Sequence, residues 1–309
     1  MTALLLLPLM LPFALPALAR RALDRLALVA ALWAITACAV VLAGCSLAAL
    51  GAFVLIGLLE MPLFAALGEL VHPLHTASGL VVLPAAATSV GVLAVCGWTL
   101  VRSVLHQTRA FRAARTEAGR GPAAGDLCVV DSPHPDAYAL PGRPHRIVVT
   151  TAMLRSLDGP EREALFAHER AHNEGGHHFL AAAELAGHCH PALRSVRATV
   201  RLAAERAADE AAAASVGDRR LTARAIARAA LAGQAARSER PGFAAAATTG
   251  PVPQRVQALL AAPWTAHRTG RRIAALLLAG TTAVSCLAAV AGAADFHHRV
   301  EVAQGDERP

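Results

Sequence analysis

The chain has no lysine: all 29 of its basic residues are arginine. With the abundance of alanine, this reflects GC-rich codon usage, so neither Arg nor Ala frequency carries functional weight. Charge itself is scarce, at 17% of residues, where a soluble domain carries about a quarter. Together with 55% hydrophobic residues and a mean hydropathy of +0.45, that scarcity excludes a disordered chain and argues against a cytosolic globule. The six cysteines (38, 45, 96, 128, 189 and 286) form no C-x-x-C pair and mostly lie in apolar runs. A disulfide framework or a cysteine zinc site is not expected. All four methionines (1, 10, 61 and 153) fall in the first half of the chain.

Long uncharged stretches are what the chain does have. They cover 1–19, 26–59, 70–101 and 273–294, each near or above the roughly 18–20 residues that cross a bilayer core. The first lacks a basic segment before it, and Arg20-Arg21 follow it, so it reads as a retained, proline-interrupted span and not as a cleaved leader. The expected architecture is an α-helical membrane protein of four spans with a small α+β domain between spans three and four. Residues 1–101 make the three-span region, 102–272 the domain, 273–294 the fourth helix and 295–309 a short external tail. Arg102 and Arg271-Arg272 mark the domain's membrane edges, and 102–272 holds 24 Arg against 15 acidic residues. Positive-inside counting therefore expects a multi-pass cell-membrane protein with this domain in the cytoplasm. Its arginines lack aromatic interleaving, so they read as a solvated face near anionic lipid; direct nucleic-acid binding is not expected.

Within 102–272 the pattern predicts a polar helix continuing the third span to 118, then a Gly/Pro/Ala linker over 119–125. Short strands follow at Leu127–Val130, Ala137–Leu140 and Ile147–Thr151. Asp158, Pro160 and Glu161 stand at capping-box spacing and start a helix over at least 160–172. A second helix opens at Pro191 with Leu193, Val196, Val200 and Ala203 on its apolar face. A third covers about 219–236, 237–253 reads as loop, and Val252–Leu260 returns to helix.

Six of the fourteen histidines lie between 168 and 190, and His168-Glu169-Arg170-Ala171-His172 is an H-E-x-x-H. Residues i and i+4 share a helix face about 6 Å apart, so both imidazoles can reach one Zn2+. Glu169 is offset from that face and suits a general base. Two readings of the third ligand compete. The run to His178 fits H-E-x-x-H-x-x-G-x-x-H, with Gly175 bending the chain, but no methionine follows residue 153 to make the turn that accompanies this pattern. The favoured reading is Glu205, on the helix after Pro191, with Asp209 one turn on to orient a ligand imidazole.

These residues resemble the gluzincin pattern, and the BlaR/MecR-type membrane zinc peptidases in particular. The similarity rests on Ala137-Tyr138-Ala139-Leu140-Pro141-Gly142, Ile147–Thr150 and Leu165-Phe166-Ala167-His168-Glu169. It extends to the His190-Pro191 step, Asp209-Glu210, Val252–Leu259 and the layout of spans, which is closer to BlaR/MecR than to HtpX-like or CAAX-processing peptidases. Those sensors carry a penicillin-binding domain after the fourth span; only about 15 residues follow here, so β-lactam sensing by that route is not expected. The resemblance implies a zinc endopeptidase with a protein or peptide substrate, a cytoplasmic transcriptional repressor being the one the family suggests. Tyr138, His145, His177 and His178 are candidates to stabilise the oxyanion. A membrane-protein quality-control protease, and a non-catalytic receptor with a structural zinc site, stay open as alternatives.

Overall fold

The computed structural model describes residues 2–61, 79–119, 123–238, 252–261 and 268–304. Glu69 and the start of the expected third span, residues 120–122 of the expected linker, residues 239–251 and the tail from 305 lie outside the described residues; Ala123–Ala124 of that linker form a strand. Among the described residues, four helical segments are long and apolar enough to cross a membrane: Leu4–Arg25, Leu28–Leu59, Leu83–Ala118 and Gly270–Val302.

The first segment is two helices, α1 (Thr2–Met10) and α2 (Leu15–Arg25), joined by a 3-10 turn over Leu11–Ala14. Proline explains the break, because Pro12 has no N–H to give the Pro8 carbonyl. That carbonyl instead accepts from the Ser46 hydroxyl at 2.8 Å, on the neighbouring α3 (Leu28–Leu59). Next comes α4 (Gly79–Ala118), 40 residues and about 60 Å long, so the polar helix predicted to 118 is an unbroken extension of the third span. Small residues let α3 and α4 approach closely: a Cβ on Gly57 would lie 2.3 Å from that of Ala86. The last long helix, α11 (Arg268–Gln304), outruns the expected 273–294. Its extension past the apolar stretch carries two i,i+4 pairs, Asp295–Arg299 at 3.2 Å and His297–Glu301 at 3.0 Å, which favour helix over an irregular tail.

Between α4 and α11 a small sheet forms from β1 (Ala123–Ala124), β2 (Leu127–Val130), β3 (Ala137–Leu140) and β4 (Arg146–Thr150), in the order β1-β2-β4-β3. Strands β2 and β4 run parallel and β3 pairs antiparallel to β4, leaving one edge of β3 open. The third expected strand ends at Thr150, one residue early, because the Thr150 hydroxyl accepts from the Met153 N–H and caps α5 (Thr151–Ser156). Helices α6 (Gly159–Glu174), α7 (Ala181–Cys189), α8 (Leu193–Val216), α9 (Arg219–Ser238) and α10 (Val252–Leu260) follow.

Leu193, Val196, Val200 and Ala203 do face a core, but it is the core of the spans. They cluster with Leu15, Ala22, Leu32, Ile35 and Leu278. The α7–α8 hairpin is thus wedged into the membrane-type helices, and its tip is tied there by polar contacts. His190 takes the Ala192 N–H on Nδ1 (3.2 Å), which leaves its proton on Nε2 to donate to the Leu9 carbonyl at 3.0 Å. Phe13 packs edge-on against the same ring, with centroids 5.0 Å apart.

Candidate metal centre

Helix α6 is locally determined at both ends. Asp158 Oδ1 accepts from the Glu161 N–H (2.9 Å) and Glu161 Oε2 from the Asp158 N–H (3.1 Å), a complete capping box. Gly175 closes it, and Gly176 turns left-handed at φ 62°. The helix is fastened to the sheet by an Arg170–Asp126 pair (2.7 and 3.0 Å) and by Asn173, which donates to the Arg146 carbonyl.

This placement brings His168 and His172 to face α8, where Glu205 meets them. One ligand atom from each of the three lies within 4.8 Å of the others. The Nε2 atoms stand 3.1 Å apart, and Glu205 Oε2 and Oε1 lie 3.5 and 3.7 Å from His168 and His172 respectively. Two imidazole nitrogens and a carboxylate oxygen, converging beside an open cleft, form a donor set that suits zinc with a position left for substrate or water. Asp209, one turn beyond Glu205, sits 2.9 Å from His168 Nδ1. His178 lines the cleft with its ring against Phe179 and is not in the converging group. The chain does reverse at Gly175-Gly176, as the His178 alternative required, but the residue brought back onto His172 is His177, Nδ1 to Nδ1 at 2.7 Å.

One site residue was missed in the sequence. Arg255 of α10 makes two bonds to Asp209, Nε to Oδ2 at 2.8 Å and Nη2 to Oδ1 at 2.7 Å, and its Nη1 lies 2.8 Å from Glu205 Oε2. The segment Val252–Leu260 reads as helix in the sequence, but nothing in its local pattern shows that Arg255 reaches Asp209, 46 positions earlier.

Electrostatics follow from this arrangement. Burial penalises Glu205 as an anion, yet the His168 hydrogen bond and Arg255 outweigh it and hold the carboxyl at about 2. Burial also works against charge on His168, but Asp209 and Glu205 raise it to about 9. Desolvation and the neighbouring His168 push His172 down to about 4. Glu169 moves the other way from Glu205: burial, assisted by the Glu205 charge, raises it, although a hydrogen bond from the Ala139 backbone opposes the rise. That contact sets Glu169 against β3, the open-edged strand.

The cleft has a volume of about 690 Å³, and Tyr138, His177 and His178 line it while His145 does not. Its lining includes apolar Met153, Leu165, Ile226, Ala229 and Val252 and charged Glu184 of α7 and Arg197 and Arg201 of α8.

Residues 106–188 match the model of Peptidase family M48. The match supports a metallopeptidase and a protease function. It runs from within α4 through the sheet and α6 to the end of α7, and stops short of Glu205, Asp209 and Arg255. No curated protein and no solved structure matches the chain.

Proposed function

We propose that the protein is an integral-membrane zinc endopeptidase that cleaves a protein or peptide presented on the cytoplasmic side. The observation that carries this reading is the convergence of His168, His172 and Glu205, with Glu169 buried beside them at the edge of an open cleft. A bound zinc ion supplies Lewis acidity toward the scissile carbonyl. His168, His172 and Glu205 hold it; Asp209 fixes the His168 ring, and Arg255 fixes Asp209 and Glu205. Glu169 takes the proton of the attacking water and returns it to the leaving amine. Its raised pKa suits that exchange, because a more basic carboxylate accepts the proton more readily. The open edge of β3 offers backbone groups to an extended substrate, which then lies across Glu169.

The resemblance to BlaR/MecR-type peptidases supports a transcriptional repressor as the substrate, and the Arg102 and Arg271-Arg272 edges support a cytoplasmic site. Purified protein carrying Glu169→Gln, expressed in its native membranes, tests the reading. It should retain zinc, lose proteolysis and hold uncleaved substrate for peptide identification. Wild-type proteolysis in that variant overturns the mechanism. Reporters fused after Arg115 and after Pro309 should read cytoplasmic and external respectively; the same side for both refutes the topology.

A further inference from the structure

His172 is held by a neighbour of a different kind from the one that holds His168. A histidine that binds metal through Nε2 keeps its proton on Nδ1, and whatever accepts that proton sets the ring's rotation and the basicity of Nε2. For His168 the group beside Nδ1 is the Asp209 carboxylate, at 2.9 Å. For His172, whose Nε2 faces His168 and Glu205, the group at Nδ1 is His177 Nδ1 at 2.7 Å, the two rings meeting edge-on at 76°.

The seat for His177 is built into the chain. Helix α6 stops at Glu174, Gly176 takes the left-handed conformation that glycine adopts without strain, and the next residue folds back over the last helical turn. Gly175 is also needed. A Cβ there would lie 2.7 Å from His177 Nε2 and 2.9 Å from the Ala171 carbonyl, so a side chain at 175 and the observed His177 ring exclude one another.

We propose that His177 is the positioning residue for His172. It accepts the Nδ1–H of His172 on its own Nδ1, carries its proton on Nε2, and locks the ligand tautomer without adding negative charge. The two histidine ligands are then oriented unequally, His168 by an anion that Arg255 neutralises and His172 by an uncharged ring. This role rests on the zinc-site reading above.

The test is zinc affinity of the full-length protein in detergent, measured by chelator competition with Zn2+ for wild type, His177→Phe and His177→Asn. Phenylalanine keeps a flat ring without an acceptor; the asparagine amide oxygen replaces the imidazole Nδ1 as acceptor. The dissociation constant should rise about 10–100-fold in the Phe variant and return toward wild type in the Asn variant. Thermal midpoints of the metal-free forms should agree, since a merely structural ring would move them. With Co2+ in place of zinc, the visible spectrum of the Phe variant at saturation should match wild type. A changed spectrum makes His177 a direct ligand and overturns the proposal, as does wild-type affinity in the Phe variant or failure of Asn to restore binding. Absence of stoichiometric zinc in wild type overturns the metal reading itself, which separates the two failures.

Discussion

The cleft has two walls, and they are held in place by different forces. The wall that carries His168, Glu169 and His172 is α6 on the small sheet. Besides a small apolar core that Leu165 and Phe166 share with Val149, Met153 and Leu157, it is fixed by directional polar contacts: the Asp158–Glu161 capping box, the Arg170–Asp126 pair and the Asn173 bond to the Arg146 carbonyl. The wall that carries Glu205 and Asp209 is α8, whose opposite face is buried among the spans through Leu193, Val196 and Val200. The candidate site divided this way joins a unit held on the small sheet to one packed on the long apolar helices. Polar contacts respond to pH and salt, whereas apolar burial responds to whatever surrounds the helices.

The sharpest test of the division of roles across the cleft is Glu169→Gln, which should lower proteolysis by about 10²–10⁴-fold while zinc stays bound; a fluorogenic peptide assay beside metal analysis reads both. Arg255→Leu should damage only the α8 wall. It leaves Asp209, which is 1% exposed, as a buried anion with His168 beside it but no guanidinium, with an expected loss of about 3–5 kcal/mol and weaker zinc binding, read by denaturant titration and chelator competition. Leu193→Ala should cost about 2–5 kcal/mol by opening a cavity between α8 and the spans, with a shift in thermal midpoint that depends on the detergent. Arg170→Ala, on the opposite wall, removes a half-exposed pair and should cost below about 1 kcal/mol. Equal losses from Leu193→Ala and Arg170→Ala would erase the contrast.

Acid should act on both walls, since Glu205 on α8 is held at about 2, and the smallest single-residue effect is expected on the sheet side. Burial opposes the Glu161 charge, but the Asp158 N–H and the Arg228 and Arg224 guanidinium groups hold its carboxyl below the usual range. The Arg170 hydrogen bond does the same for Asp126. A carboxyl lowered on folding stabilises the native state above its unfolded pKa, and that stability drains away as pH falls through the lowered value. Thermal midpoints should therefore drop on acidification from neutral pH, and drop less in Glu161→Gln.

What was legible in the sequence divides along the same line. The start of α6 is written in four consecutive positions, Asp158 to Glu161, and the shared face of His168 and His172 in a spacing of four. Glu205 and Asp209 repeat that spacing on a helix with a readable apolar face. Local periodicity states which side chains share a face; it does not state what the face meets. The partner of the Leu193–Val200 face could not be read, because an alanine-rich helix packs on a span or on a soluble helix with the same pattern. Arg255 and the place of His177 over His172 were hidden for related reasons. One reaches its partners only through tertiary packing, and the other depends on a left-handed glycine that places residue 177, and not 178, over His172.

His190 lends the hairpin a fulcrum. From Leu193 to Glu205 the α8 helix is a rigid arm about 18 Å long, pivoted where the His190 ring grips the Leu9 carbonyl of the broken first helix. A tilt of a few degrees at that pivot carries the far end through about 1–2 Å, beyond the roughly 0.5 Å tolerance of a working site. The first helix, with its proline-made break, thereby becomes the part of the molecule on which the alignment of Glu205 is levelled.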